Sequence, residues 1–202
     1  MTNIESKRKQ LVSSSMSDIR RIVSEEGVNR PALDKVRQVL VSMAGHPDLF
    51  SETDYPSPTA EQKGKIYLLS EEPKESYSLY LVSTLPPGRS PVHDHNTWAV
   101  IAGIGGEEEN TIYRRLDDGS KAGRASVEED HKVVLGEGDG IAFMPEDIHR
   151  VCNVGSGPTR HFHLYGKGFN QQGGRVSFNL KDGTTAPIPS GMLPIDESRR
   201  VL

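Results

Sequence analysis

Two rhythms of apolar and polar residues divide the chain. As far as Gly45 the apolar positions recur at helical steps, and from Lys65 onward they come in short runs separated by turns. Met16, Ile19 and Val23 form one stripe and predict a short helix over 16–23. The stripe of Leu33, Val36, Val39, Leu40 and Met43 predicts a stronger one, with Asn29 and Arg30 leading in, Pro31 in its first turn and Gly45 after its end. Residues 1–17 are polar and Ser-rich, and the pattern predicts that they fray. Both helices precede any strand signal, so they are expected to form a helical cover, residues 1–64, on a later β core.

Residues 46–64 read as a loop carrying Pro56 and Pro58. The β-type runs that follow are Ile66–Leu69, Tyr77–Ser83, Trp98–Ala102, Thr111–Arg115, Lys132–Leu135, Ile141–Met144, His149–Asn153, Arg160–Tyr165 and Arg175–Leu180. Between them stand turn signals such as Pro86-Pro87-Gly88, Asp117-Asp118-Gly119 and Lys181-Asp182-Gly183. Short strands in series without helices between them predict a mainly β sandwich or barrel over 65–183. The Pro-containing tail, 184–202, reads as an extended strap.

Composition narrows the classes. The net charge is -4 with no basic stripe, which gives no reason to expect nucleic acid or an anionic membrane as partner. The one cysteine, Cys152, permits neither an intrachain disulfide nor a multi-cysteine zinc site. It reads as a small buried hydrophobe. No run approaches the length of a membrane helix. The expectation is a soluble, cytoplasmic protein.

The candidate chemistry begins at Pro91-Val92-His93-Asp94-His95. On an extended segment two histidines two apart project to one side and can converge on a metal ion, while Asp94 faces away. Taken alone, the pair is equally compatible with surface histidines on an edge strand. A Gly-rich turn, Gly136 to Gly140, then leads into an apolar strand stopped by Pro145, and His149 heads the next strand. If those segments pair, His149 faces the same cavity. A further strand, Arg160 to Tyr165, places His161, His163 and Tyr165 on one face and Phe162 and Leu164 on the other. Two histidines and a tyrosine turned inward each need a partner. Three imidazoles suit either Fe(II) with open positions or a tetrahedral zinc with one water, and the ligands alone do not choose.

This order of motifs, a His-x-His pair, a Gly-rich turn with proline and a single later histidine, resembles the cupin superfamily, a double-stranded β-helix or jelly-roll barrel. The positions after His95 carry no carboxylate where most cupins have a glutamate. A three-histidine set is similar to that of the thiol dioxygenases, the cysteine dioxygenase and 3-mercaptopropionate dioxygenase family. Trp98, the run Ile148-His149-Arg150-Val151 and the run His163-Leu164-Tyr165-Gly166 also match, and the resemblance spans about Tyr67 to Asp182. It implies Fe(II) on His93, His95 and His149, with a small-molecule thiol and O2 as reactants. It implies Tyr165, oriented by His163, as the catalytic pair. His161 stands where that family has Ser, either as a satisfied barrel histidine or as a group that tunes the relay beside the substrate, with a competing metal ligand as the lesser alternative.

The family's cysteine-specific members carry an arginine near the position of Ile66. Its absence argues against L-cysteine. The 3-mercaptopropionate branch has an arginine about ten residues after the tyrosine, where Arg175 falls, so the resemblance implies Arg175 as the clamp of a mercapto-acid carboxylate. Arg175 is equally readable as a solvated residue at a strand start. Arg150 alternates away from His149 and reads as structural. The runner-up is another metal-dependent cupin enzyme, an isomerase or a dioxygenase of a non-thiol substrate. A non-catalytic barrel ranks last.

Overall fold

The computed structural model describes residues 3–62, 64–72, 77–189 and 194–202. Two helices come first, α1 (Asn3–Glu26) and α2 (Arg30–Ala44). The strands follow: β1 (Gly64–Glu71), β2 (Ser78–Thr84), β3 (Val92–His93), β4 (Ala99–Gly105), β5 (Glu108–Arg115), β6 (Val127–Leu135), β7 (Gly140–Phe143), β8 (Ile148–Asn153), β9 (Thr159–Tyr165), β10 (Val176–Phe178), β11 (Thr185–Pro187) and β12 (Ile195–Asp196).

The strands form two six-stranded sheets, ordered β12-β1-β2-β9-β4-β7 and β11-β10-β3-β8-β5-β6. The chain crosses between sheets from β2 to β3, β3 to β4, β4 to β5, β6 to β7, β7 to β8, β8 to β9, β9 to β10 and β11 to β12. Pairing of β2 with β9, β4 with β9 and β4 with β7 in one sheet is matched by β3 with β8, β5 with β8 and β5 with β6 in the other. That is a jelly roll, and the fold is the double-stranded β-helix expected, with an N-terminal helical segment.

The first sheet is buried on both faces. Tyr67, Leu69, Leu79, Leu81, Val100, Ala102, Phe162 and Leu164 point outward into one core with the helices, while Ile66, Leu68, Tyr80, Ala99, Ile101 and Tyr165 point into the barrel. Strict alternation between two apolar environments makes these strands read as unbroken apolar runs. The helix side is closed by Val12, Met16, Ile19 and Ile22 of α1 and by Leu33, Val36, Leu40 and Met43 of α2.

Asn29 caps α2 by accepting from the Ala32 backbone N–H at 3.0 Å, and its amide donates to Glu26 O at 2.8 Å, fixing the corner between the helices. Gly27, at φ +73°, makes that corner possible, since a side chain is strained in the left-handed region.

The expectation that residues 1–17 fray is corrected for 3–17, residues 1 and 2 lying outside the described residues: α1 begins at Asn3 and buries Arg8, Val12, Ser15 and Met16. Packing on α2 and the β1 approach overrides the polar composition. Arg8 donates to Leu49 O at 2.5 Å and pairs with Asp54, tying the helix to the loop below it. The loop itself holds a 3-10 turn, Pro47–Phe50. Tyr77, expected to begin a strand, has φ 53° and lies in the turn before β2. Two strands also start earlier than their apolar residues indicate, β5 at Glu108 and β6 at Val127. The tail adds β11 to one sheet and β12 to the other, and the backbone N–H groups of Val201 and Leu202 donate to Leu69 O at 2.7 and 3.0 Å.

Candidate metal centre

The site lies inside the barrel, on the second sheet. His93 of β3 stands directly opposite His149 of β8 in the antiparallel register, and His149 in turn faces Ile112 of β5. His95 lies beyond the end of β3. Its placement depends on the turn at Asn96, which adopts φ 51° and donates from its amide to Gly173 O at 2.6 Å. Asn tolerates the left-handed region better than most side chains. The three imidazoles are buried, and one ligand nitrogen from each lies within 4.8 Å of the others. His149 Nε2 and His95 Nε2 are 3.2 Å apart.

Elementary donor bookkeeping sets the tautomers. Glu108 is buried, and its carboxylate, when ionised, only accepts. Asn110 therefore turns its amide N–H toward Glu108 Oε1, at 3.1 Å, and presents Oδ1 to His149 Nδ1 at 2.9 Å. That oxygen needs a donor, so His149 carries its proton on Nδ1 and its lone pair on Nε2. His93 Nδ1 likewise donates to Pro91 O at 2.9 Å, leaving its Nε2 unprotonated. His95 Nδ1 is buried without a hydrogen-bond partner.

Burial also keeps these rings neutral. It lowers the pKa of His93 to about 4, with Arg175 adding in the same direction, and holds His95 and His149 well below the usual imidazole value. Three neutral, buried imidazoles converging on one point, two of them with the lone pair placed on Nε2, are a donor set for a divalent transition metal. The residues present fit such an ion.

The ring beside this cluster is Tyr165, whose centroid is 5.3 Å from that of His95. His163 Nδ1 lies 3.0 Å from the Tyr165 hydroxyl. Burial raises the Tyr165 pKa, so the hydroxyl keeps its proton. It also lowers that of His163 to about 4. Arg175 Nε donates to Asp94 O at 3.3 Å, and the guanidinium stands 5.8 Å from the Phe169 ring centroid. Burial lowers the Arg175 pKa, while the nearby Tyr165 and Asp94 oppose that shift. A cavity of about 310 Å³ is lined by His93, His95, His149, His163, Tyr165 and Arg175, together with apolar Ile66, Val82, Val151, Phe169 and Ile188.

His161 is placed differently. It is fully buried, it does not line the cavity, and its Nδ1 lies 3.1 Å from Glu108 Oε2. Its expected position beside a substrate is therefore corrected: the strand alternation turns it inward, but toward Glu108. Arg150 sits over the Tyr113 ring at 5.9 Å, outside the cavity, and Asp94 accepts from the Val176 N–H at 2.9 Å. Cys152 is only partly buried, not the core hydrophobe expected.

Sequence reasoning missed Glu108, Asn110, Arg89 and Gln172. Glu108, Arg89 and Gln172 line the cavity, and the buried Gln172 Oε1 has no partner. Desolvation pushes the Glu108 pKa up, but His161, His163 and Asn110 together outweigh it and leave it lowered.

No family model matches the sequence, and no curated protein matches it. Among solved structures, the cupin domain of Schizosaccharomyces pombe Cnp3 is 15% identical with a TM-score of 0.41, over 56% of this chain and 72% of that one. An oxalate oxidase in complex with the substrate analogue glycolate is 19% identical with a TM-score of 0.43, over 62% of this chain and 63% of that one. A Klebsiella pneumoniae protein with a double-stranded β-helix domain is 17% identical with a TM-score of 0.42, over 68% of this chain and 94% of that one. These neighbours are cupin or double-stranded β-helix proteins, and likeness at this level assigns no residue of this chain a role.

Proposed function

We propose that the protein is an Fe(II)-dependent thiol dioxygenase that converts a small mercapto-carboxylic acid, of the 3-mercaptopropionate type, and O2 into the sulfinic acid. The reaction balances as one thiol and one O2 giving one sulfinic acid, with both oxygen atoms on sulfur. The observation that carries this reading is the meeting of His93, His95, His149, Tyr165 and Arg175 on one apolar cavity. A metal donor set, a protonated hydroxyl and a guanidinium suit a substrate with a thiolate at one end and a carboxylate at the other.

His93, His95 and His149 would hold the iron. Bound there, Fe(II) would supply the redox chemistry that allows a thiolate to react with O2. The three neutral imidazoles leave the ion's charge uncompensated, which favours an anionic sulfur. Arg175 binds the carboxylate through its fork of N–H donors and fixes the substrate's direction in the cavity. With its proton on Nδ1, His163 would donate to the Tyr165 oxygen and direct the Tyr165 O–H away from itself, toward the reacting sulfur and oxygen atoms. The apolar lining excludes water and strengthens each of these contacts.

The test is O2 uptake by the iron-loaded protein with 3-mercaptopropionate, mercaptosuccinate, cysteine and cysteamine. One O2 consumed per mercapto-acid, with both labelled oxygens recovered in the product, is expected. Full zinc occupancy in active protein without iron-dependent turnover sinks the proposal. No uptake with any thiol transfers support to a metal-dependent enzyme of a non-thiol substrate. The buried Glu108–His161 contact, in place of the serine that the thiol dioxygenases carry, is the observation that favours this second reading.

A further inference from the structure

The barrel holds a second group of side chains able to ligate a metal, of which the proposed reaction uses only His163, and that through its other nitrogen. Glu108 of β5 and His161 and His163 of β9 come from opposite sheets, and one ligand atom from each lies within 4.8 Å of the others. All three residues are more than nine-tenths buried. Both nitrogens of His161, and Nε2 of His163, have no hydrogen-bond partner. Glu108 Oε2 and His161 Nδ1 face each other at 3.1 Å without forming a hydrogen bond of acceptable geometry.

We propose that Glu108, His161 and His163 form a second divalent transition-metal site, distinct from the three-histidine centre. Buried nitrogens without partners are costly, and the same groups become satisfied around an ion. The 3.1 Å between Glu108 Oε2 and His161 Nδ1 is close to that of adjacent corners of a coordination shell with bonds of about 2.0–2.2 Å.

The protonation pattern agrees. His163 meets the Tyr165 hydroxyl through Nδ1, which leaves Nε2 as the nitrogen without a partner; the tautomer in which Nδ1 donates puts the lone pair there. Glu108 spends Oε1 on Asn110 and leaves Oε2 for the site. Its carboxylate also supplies the anionic charge that the first site lacks. Two imidazoles and one carboxylate with open positions suit Fe(II), Mn(II) or Zn(II). Asn110 links the two sites, because the amide that orients His149 also holds Glu108. This assignment stands apart from the thiol reading, since it concerns ion binding and not turnover.

The full chain, stripped of metal with a chelator, is titrated with Co(II) and with Zn(II). Calorimetry gives the number of equivalents, and Co(II) absorption separates the two environments. Two equivalents per chain are expected, the second weaker because the ions repel. Glu108→Gln, nearly isosteric, and His161→Asn should each remove one equivalent and leave the other. His95→Asn should remove the complementary one. Loss of a direct ligand must exceed the roughly 10–100-fold affinity loss that follows removal of an outer hydrogen-bond partner. A thermal melt shows that each variant is folded, and Glu108→Gln carries the test if His161→Asn is not. A single equivalent in the wild type overturns the proposal. So does a Glu108→Gln variant that still binds two equivalents, or a folded one that binds none.

Discussion

Asn110→Ala separates the support of the metal ligands from the ligands themselves. The side chain is fully buried and makes two hydrogen bonds, at 2.9 Å from His149 Nδ1 and 3.1 Å to Glu108 Oε1. Truncation strands the His149 N–H, at a cost of about 1–3 kcal/mol, and removes a donor from a charged carboxylate, a further 1.5–3 kcal/mol or so. The two costs share one residue and are not additive, so the expected loss of stability is about 2–5 kcal/mol. In a domain of this size that lowers Tm by roughly 5–15 °C.

The metal effect is separate. Without the acceptor on Nδ1, nothing fixes the His149 tautomer, and affinity at the three-histidine site should fall about 10–100-fold. Competition for Co(II) against a chromophoric chelator measures it, best in a Glu108→Gln background so that only one site is read. Asn110→Asp is the informative companion. It keeps an acceptor for His149 but sets a second carboxylate against Glu108, so stability should fall while affinity at the three-histidine site is retained. An Asn110→Ala variant that melts early yet binds Co(II) within threefold of the wild type refutes the role given to the amide.

Arg175→Gln should raise KM for a mercapto-acid by about 10–100-fold, the worth of a charge-assisted hydrogen bond, and leave a carboxylate-free thiol such as cysteamine unaffected. Equal losses with both thiols would show that Arg175 only shapes the cavity. The metal-free protein should lose stability as pH falls from about 6.5 toward 4. His93 and His163 are held at about 4 by burial against 6.5 when exposed, so the unfolded chain takes up more protons across that window. Each contributes up to about 3 kcal/mol, fully present above pH 6.5, and a flat melting temperature over that range contradicts the shifts. Phe162→Ala removes a fully buried ring packed edge-on against Phe50 at 4.8 Å. It should cost about 3–5 kcal/mol, read by urea unfolding, with metal stoichiometry intact. A cost under 1 kcal/mol would mean that the helices bear little of the sheet's stability.

Part of this molecule was legible in its sequence because the signals are local. The α2 helix announces itself through Asn29, Pro31 and a regular stripe, and its observed limits follow those marks. The three candidate ligand histidines stand in short motifs next to turns, and the structure brings them together. Glu108 was hidden by its setting. It is the middle of Glu107-Glu108-Glu109 directly after Gly105-Gly106, which reads as a solvated acidic turn. Only the strand's true start at Glu108 shows that 108 and 110 are both buried, and no apolar residue marks that start. The strand β6 was foreshortened for a related reason: most of its residues are exposed, so its first half has no hydrophobic pattern. The opposite error befell α1, whose polar first half is ordered by tertiary contacts that composition does not register.

The turn that carries His95 is bound on all sides to the segment that carries Arg175. Asn96 donates to Gly173 O, Arg175 donates to Asp94 O, and Asp94 exchanges backbone and side-chain bonds with Val176. The proposed metal ligand His95 and the proposed carboxylate clamp Arg175 therefore sit on one braced unit. Thermodynamic reciprocity then requires that whatever factor a bound ion adds to the affinity for a carboxylic acid, the acid adds to the affinity for the ion. On the proposed reading, then, the ion and the organic acid would each hold the other in the barrel, whichever binds first.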